Sequence, residues 1–234
     1  MDAMRTTSTA DGTVIARSVA VMPSFITPRS ASLSAVSGSA RMNGLAASGN
    51  RSYEKNTPEQ THIGIAWPSV TETDDDYYTV RLAVEVLSGG MSGRLFTEVR
   101  EKRGLCYSVW AGYSSLKGQG SILGYAGTSN DRAQATLDCM VTELHRLSEG
   151  VTKDELDRAK TGLKASSIMQ GESTSARAGS IAHDYFMRGR IRTLDEIKDA
   201  IDAVSVEKVN AFLKANHPGP FTIVTVGPKD LKLP

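Results

Sequence analysis

The segment Leu87-Ser88-Gly89-Gly90-Met91-Ser92-Gly93-Arg94-Leu95-Phe96-Thr97-Glu98-Val99-Arg100-Glu101-Lys102-Arg103-Gly104-Leu105-Cys106-Tyr107-Ser108-Val109 joins a helix to a strand through two glycine turns. Upstream of it, Val80, Ala83, Val84 and Leu87 make a helical apolar stripe that should stop at Gly89-Gly90. Glycines at 89 to 93 suit a tight helix-to-helix link needing positive φ or close backbone approach. A second, shorter helix should follow, with Ser92 as N-cap and Leu95, Phe96 and Val99 facing inward until Gly104. Gly104 would permit the turn into a strand from Cys106 to Leu116.

Moving outward, Thr61 to Trp67 alternates as a strand that should end at Pro68. Asp74-Asp75-Asp76 sits where acids complement the start of the helix that follows, a commoner role than holding a cation. Downstream, a strand over Ser121 to Thr128 should pair with the one before it, across a turn containing Gly118 and Gly120. Helices are expected over Asn130–Ser148 and around Ser173–Arg188, and another begins at Ser205. Thr152 with Glu155 and Thr193 with Glu196 have the spacing of capping boxes. The apolar run Phe221 to Val226 reads as a closing strand. Strands and helices are partly segregated, so the expected class is α+β, with helices packed on a mostly antiparallel mixed sheet.

Residues 1–53 differ in character. They carry five arginines, no lysine, and only Asp2 and Asp11 as acids, with no sustained helical or strand period. A flexible leader or non-native start fits best, and an Arg- and Ser-rich transit peptide is the alternative. Residues 54–234 form the expected domain. The net charge of +1 gives no reason to expect nucleic acid as a partner. No apolar run approaches the roughly 18 residues of a membrane span. A soluble protein is expected, with the cytoplasm favoured and organelle import left open. Two cysteines, Cys106 and Cys139, form no disulfide framework.

The four histidines, His62, His145, His183 and His217, are too scattered for H-E-x-x-H or H-x-x-E-H. His145 and Glu149 lie four residues apart on one helix face, where a solvated polar pair is the ordinary reading. Neither a G-x-S-x-G elbow nor a phosphate loop is present. No metal site and no cofactor are expected in this chain.

The Leu87–Val109 segment resembles the signature of the C-terminal, non-metal half of the insulinase, pitrilysin and mitochondrial-processing-peptidase family. The likeness runs on through Gly127-Thr128, Glu143-Leu144, Val151 to Leu156, Arg158-Ala159-Lys160, Glu172-Ser173 and Val226-Gly227-Pro228. Family members close two similar halves around a chamber. One half holds zinc through H-x-x-E-H and a downstream glutamate and activates water; the other reaches across to the peptide with an arginine and a tyrosine. The matching positions here are Arg100 and Tyr107, whose N–H and O–H groups suit a substrate carbonyl or the oxyanion it becomes. The resemblance implies a peptide-gripping half-subunit, inactive alone, partnered by an H-x-x-E-H chain that brings zinc and acting on unstructured peptides as a hetero- or homo-oligomer. A non-catalytic scaffold and a truncated inactive homologue are the alternatives. Gly93 stands where many relatives have Ser, which should loosen the helix start that follows.

Overall fold

The computed structural model describes residues 51–55 and 59–233. The expected leader lies outside the described residues except at Arg51–Tyr53. There the chain enters the sheet: β1 spans Arg51–Lys55, so the boundary drawn at residue 53 falls inside a strand. The five-residue strand is polar and exposed except at Tyr53, and its pairing is set by a distant partner that local periodicity does not reveal. The remaining elements are β2 (Gln60–Ser69), α1 (Tyr77–Ser88), β3 (Ser108–Leu116), β4 (Gln119–Ser129), α2 (Ala133–Arg146), α3 (Lys153–Glu172), α4 (Thr174–Arg188), α5 (Leu194–Asp202), α6 (Val206–Ala215) and β5 (Thr222–Gly227).

The sheet order is β1-β5-β2-β4-β3, antiparallel except for the parallel pair β1–β5, as a mixed α+β sheet requires. Alternation along β2 sends Ile63, Ile65 and Trp67 into the core and leaves His62, Gly64 and Ala66 on the opposite, less buried face. β4 adds Ile122 and Ala126 to the inner face, and β5 adds Ile223. Against them pack Leu82 and Leu87 of α1, Leu137, Met140 and Leu144 of α2, and Leu156 and Leu163 of α3. β2 runs past its expected end, and Pro68 stands opposite Ser121. β5 pairs only as far as Ala66, so β2 has a single neighbour at Pro68 and tolerates the missing donor there.

Four helix starts follow local side-chain chemistry. Thr152 and Glu155 form a capping box on α3, Thr193 and Glu196 form one on α5, and Ser173 and Ser205 cap α4 and α6. The first helix departs from expectation. α1 begins at Tyr77 with no side-chain cap, while Asp74 accepts a hydrogen bond from the Asp76 amide in the preceding turn.

Candidate functional site

Between α1 and β3 the chain forms a 3-10 turn at Gly90–Ser92 and then a widened π turn at Phe96–Glu101. Gly90 takes φ +82°, the left-handed region the sequence anticipated. Gly93 acts by close approach. A Cβ there would come within 2.9 Å of the Leu87 carbonyl and 3.0 Å of Ser88 Cα. The glycine therefore permits a close junction with α1, and a serine there would require the end of α1 to give way. Ser92 makes no side-chain cap. Leu95 and Val99 are fully buried as expected, whereas Phe96 is half-buried and lies beneath Arg100.

The π turn is held by the Lys102 amide donating to the Thr97 carbonyl at 2.9 Å and the Leu105 amide donating to the Val99 carbonyl at 3.0 Å. Such widened turns are frequent at functional sites because they redirect side chains without ending the helix. Gly104 takes φ +58°, reversing the chain as expected. The connection to Tyr107 is then fixed from below. The Leu105 carbonyl accepts the Thr128 hydroxyl at 2.5 Å and the Thr136 hydroxyl at 3.0 Å, and Arg132 Nη1 donates to the Gly104 carbonyl at 2.6 Å. The Tyr107 amide donates to the Gly127 carbonyl at 2.9 Å, docking the residue beside the start of edge strand β3.

Thr128, Thr136 and Arg132 are positioning residues that the sequence reading passed over. Gly127-Thr128 belonged to the family-like motif, but nothing in its spacing pointed at a carbonyl 23 residues earlier. Thr136→Val is expected to lower stability by about 1–2 kcal/mol, because a buried donor to Leu105 is replaced by a methyl group. Thermal denaturation measures the loss.

The connection carries the two expected side chains, both exposed. Tyr107 is 58 % exposed. Its hydroxyl has no hydrogen-bond partner among the described residues. Arg100 is also exposed, with its guanidinium carbon 5.0 Å from the centre of the Phe96 ring. Its neighbours are engaged elsewhere: Lys102 and Arg103 both pair with Glu98, at 2.7 and 2.8 Å, and hold its carboxyl below the usual range. Among the described residues Arg100 makes no ion pair, and no hydrogen bond links it to Tyr107. Both donors of this connection are thus exposed and without a hydrogen-bond or ion-pair partner among the described residues. Burial, partly offset by the nearby Arg100, pushes the thiol of Cys106 up to about 11, so this cysteine stays protonated near neutral pH and is no nucleophile.

Arg94 holds the turn to the body of the domain. Its Nε and Nη2 donate to the two carboxylate oxygens of Glu155 at 2.7 and 2.9 Å, and Nη2 also reaches the Gly150 carbonyl at 2.8 Å. This fork, together with the capping bonds from Thr152, holds the Glu155 carboxyl down to about 2 against an ordinary 4.5.

The histidines serve separate structures. His62 Nδ1 lies 2.8 Å from the Tyr125 hydroxyl on the less buried sheet face, and His183 Nε2 lies 2.9 Å from Glu72. His145 stands edge-on to Phe221, and Glu149 lies 3.9 Å from Arg146. Among the described residues no group of three His, Cys, Asp or Glu side chains comes together as a metal cage. No described helix is long and apolar enough to cross a membrane.

Helices packed on a mixed five-stranded sheet, with a glycine-rich π turn leading to its edge strand, make an α+β domain. The peptidase M16 inactive domain model matches residues 44–163, and the chain belongs to that family. It is 30 % identical over 175 residues to YmxG of Bacillus subtilis, described as an uncharacterized zinc protease, covering 74 % of this chain and 43 % of that one. An uncharacterized zinc protease of Streptomyces coelicolor is 34 % identical over 157 residues, 67 % of this chain and 34 % of the relative. A crystal structure described as a peptidase M16 inactive domain from Pseudomonas fluorescens superposes with a TM-score of 0.65 at 27 % identity, covering 79 % of this chain and 45 % of that chain. A protease from Helicobacter pylori shares the fold, with a TM-score of 0.67 at 21 % identity. The chain spans less than half the length of these relatives.

Proposed function

We propose that this chain is the substrate-gripping half of a two-part peptidase, presenting Tyr107 and Arg100 to a peptide that a separate H-x-x-E-H half hydrolyses. The observation that supports this reading is an exposed phenol and an exposed guanidinium on one connection, neither hydrogen-bonded nor ion-paired among the described residues, where the neighbouring cations Lys102 and Arg103 are already paired. Hydrolysis of an amide builds negative charge on the carbonyl oxygen. A hydrogen bond from the Tyr107 hydroxyl and the positive charge of Arg100 would stabilise that oxygen or hold a neighbouring carbonyl in register. The π turn is anchored below by Thr128, Thr136 and Arg94, so little reorganisation would be needed when substrate arrives. An unstructured peptide fits because it can offer free backbone carbonyls to both donors.

The zinc chemistry and the bond cleavage belong to the companion half in this reading. The test mixes the purified chain with an H-x-x-E-H-bearing half-chain from the same genome, supplies zinc, and follows a quenched fluorescent peptide. Turnover is expected only from the mixture. An equal rate from the companion alone would leave this chain without the proposed role.

A further inference from the structure

Helix α4 is packed with its polar side inward. At about 100° per residue, Ser180, His183, Asp184, Met187 and Arg188 share one side and Ala178, Ala182, Tyr185 and Phe186 the other. Among the residues of α4, only Asp184 and Met187 are buried, while Tyr185 is 67 % and Phe186 61 % exposed. The polar contacts fix that orientation. Asp184 takes a fork from Arg192 Nε and Nη2 at 3.0 and 2.6 Å, and Arg192 Nη1 donates to the Tyr78 hydroxyl at 2.6 Å. Glu72, on the loop before α1, accepts from His183 and from the Ser115 hydroxyl of β3. The Arg188 guanidinium lies 4.8 Å from the Tyr77 ring and 3.9 Å from Glu72. Turning α4 over to bury its aromatics would break these contacts, separating Asp184 from Arg192 and leaving the buried Glu72 carboxylate with Ser115 alone, a penalty set against the exposure of two rings.

The exposed rings belong to a wider patch. Ile168 and Met169 near the end of α3 are also exposed, as is Leu116 at the end of β3, and the next residue, Lys117, lies 5.1 Å from the Phe186 ring. An apolar patch held in place by a buried polar network is a built interface rather than a stray exposure. The matched relatives are more than twice as long as the portion this chain matches, so in them a second body of similar size is available to cover the face. Lys117 stands against Phe186 at this patch and makes no ion pair among the described residues, so a covering surface with an apolar centre and carboxylates at its rim is complementary.

We infer that the outward face of α4 is the surface on which the companion H-x-x-E-H half docks, through an apolar patch rimmed by acids. This rests on the two-part reading above and names where the parts meet.

The test compares the full chain with its Tyr185→Ser/Phe186→Ser double variant, and with Leu233→Ser as an exposed apolar control. Affinity for the purified H-x-x-E-H half-chain is read by calorimetry, turnover by the peptide assay, and the state of each chain alone by sedimentation. Aromatic anchors of this kind contribute heavily at interfaces, so the double variant is expected to bind at least about tenfold more weakly. Its melting temperature should be unchanged, and turnover should be recovered at saturating concentration. Unchanged affinity would overturn the docking surface while leaving the two-part peptidase intact. Loss of a self-dimer without loss of companion binding would overturn it in favour of a second copy of this chain. Binding that needs α4 but yields no turnover would uphold the surface and remove the peptidase role. No binding at all would remove both.

Discussion

Tyr107→Phe is expected to reduce peptide turnover by the reconstituted pair about 100-fold, and Arg100→Ala by a similar factor. The phenylalanine keeps the ring and its fit beside β3, so folding and assembly should be preserved, and only the donor is lost. In the Tyr107 variant the loss should fall on kcat more than on KM, because the bond is worth most when the carbonyl oxygen is charged. Arg100 carries a full charge and has no ion-pair partner among the described residues, so its removal costs no salt bridge within the fold. Its loss is expected to raise KM as well, because a guanidinium also attracts the neutral carbonyls of the bound ground state. Steady-state kinetics on the mixed chains separates the two patterns. Wild-type kcat in the Tyr107→Phe pair would remove this hydroxyl from the site.

Arg94→Ala is expected to cost about 2 kcal/mol of folding stability. This falls between the value of an exposed pair and that of a fully buried one, since both side chains are mostly covered. The substitution removes the fork to Glu155 and the bond to Gly150 together, which frees the π turn from α3. The pH dependence has a fixed sign. The Glu155 carboxyl is held near 2 in the folded chain against an ordinary 4.5, so folding favours its charged form. Its contribution is fully present above pH 4.5 and is lost as the pH falls toward about 2. Arg94→Ala should therefore destabilise strongly at pH 7 and much less near pH 2. Urea titrations at the two pH values measure the difference, and an equal loss at both would show that the fork is not the source of the stability.

The sequence revealed most clearly those features that rest on local periodicity. The capping boxes at Thr152 and Thr193, the apolar stripes of α1 and α2, and the alternation of β2 each lie within a few residues of chain. What escaped rests on distant partners. β1 is a polar strand that exists because Arg51 to Lys55 pair with β5 more than 170 residues away. Pro68 marks a strand end by local rules, yet β2 continues past it because β5 has already stopped pairing at Ala66. The π turn was read as an ordinary short helix. Its extra width depends on Gly104 and on hydroxyls of Thr128 and Thr136 approaching from β4 and α2.

The site was legible in a similarly divided way. Arg100 and Tyr107 came from a family-like motif, and the structure places both in the open on one connection. The motif could not show why Arg100 differs from Lys102 and Arg103. That distinction depends on which cations reach Glu98, a matter of side-chain geometry within a widened turn. It also left Arg94 without a role, since the Arg94–Glu155 fork joins residues 61 positions apart.

The central claim is that this chain contributes donors to a peptide whose hydrolysis another half performs. Titrating the purified chain into a fixed amount of zinc-loaded H-x-x-E-H half tests it most directly, with the initial rate of peptide cleavage as readout. The rate should be negligible at zero added chain, rise with it and level off near one equivalent, with no cleavage by this chain alone. Sustained, zinc-dependent cleavage by the unaccompanied chain would contradict the account.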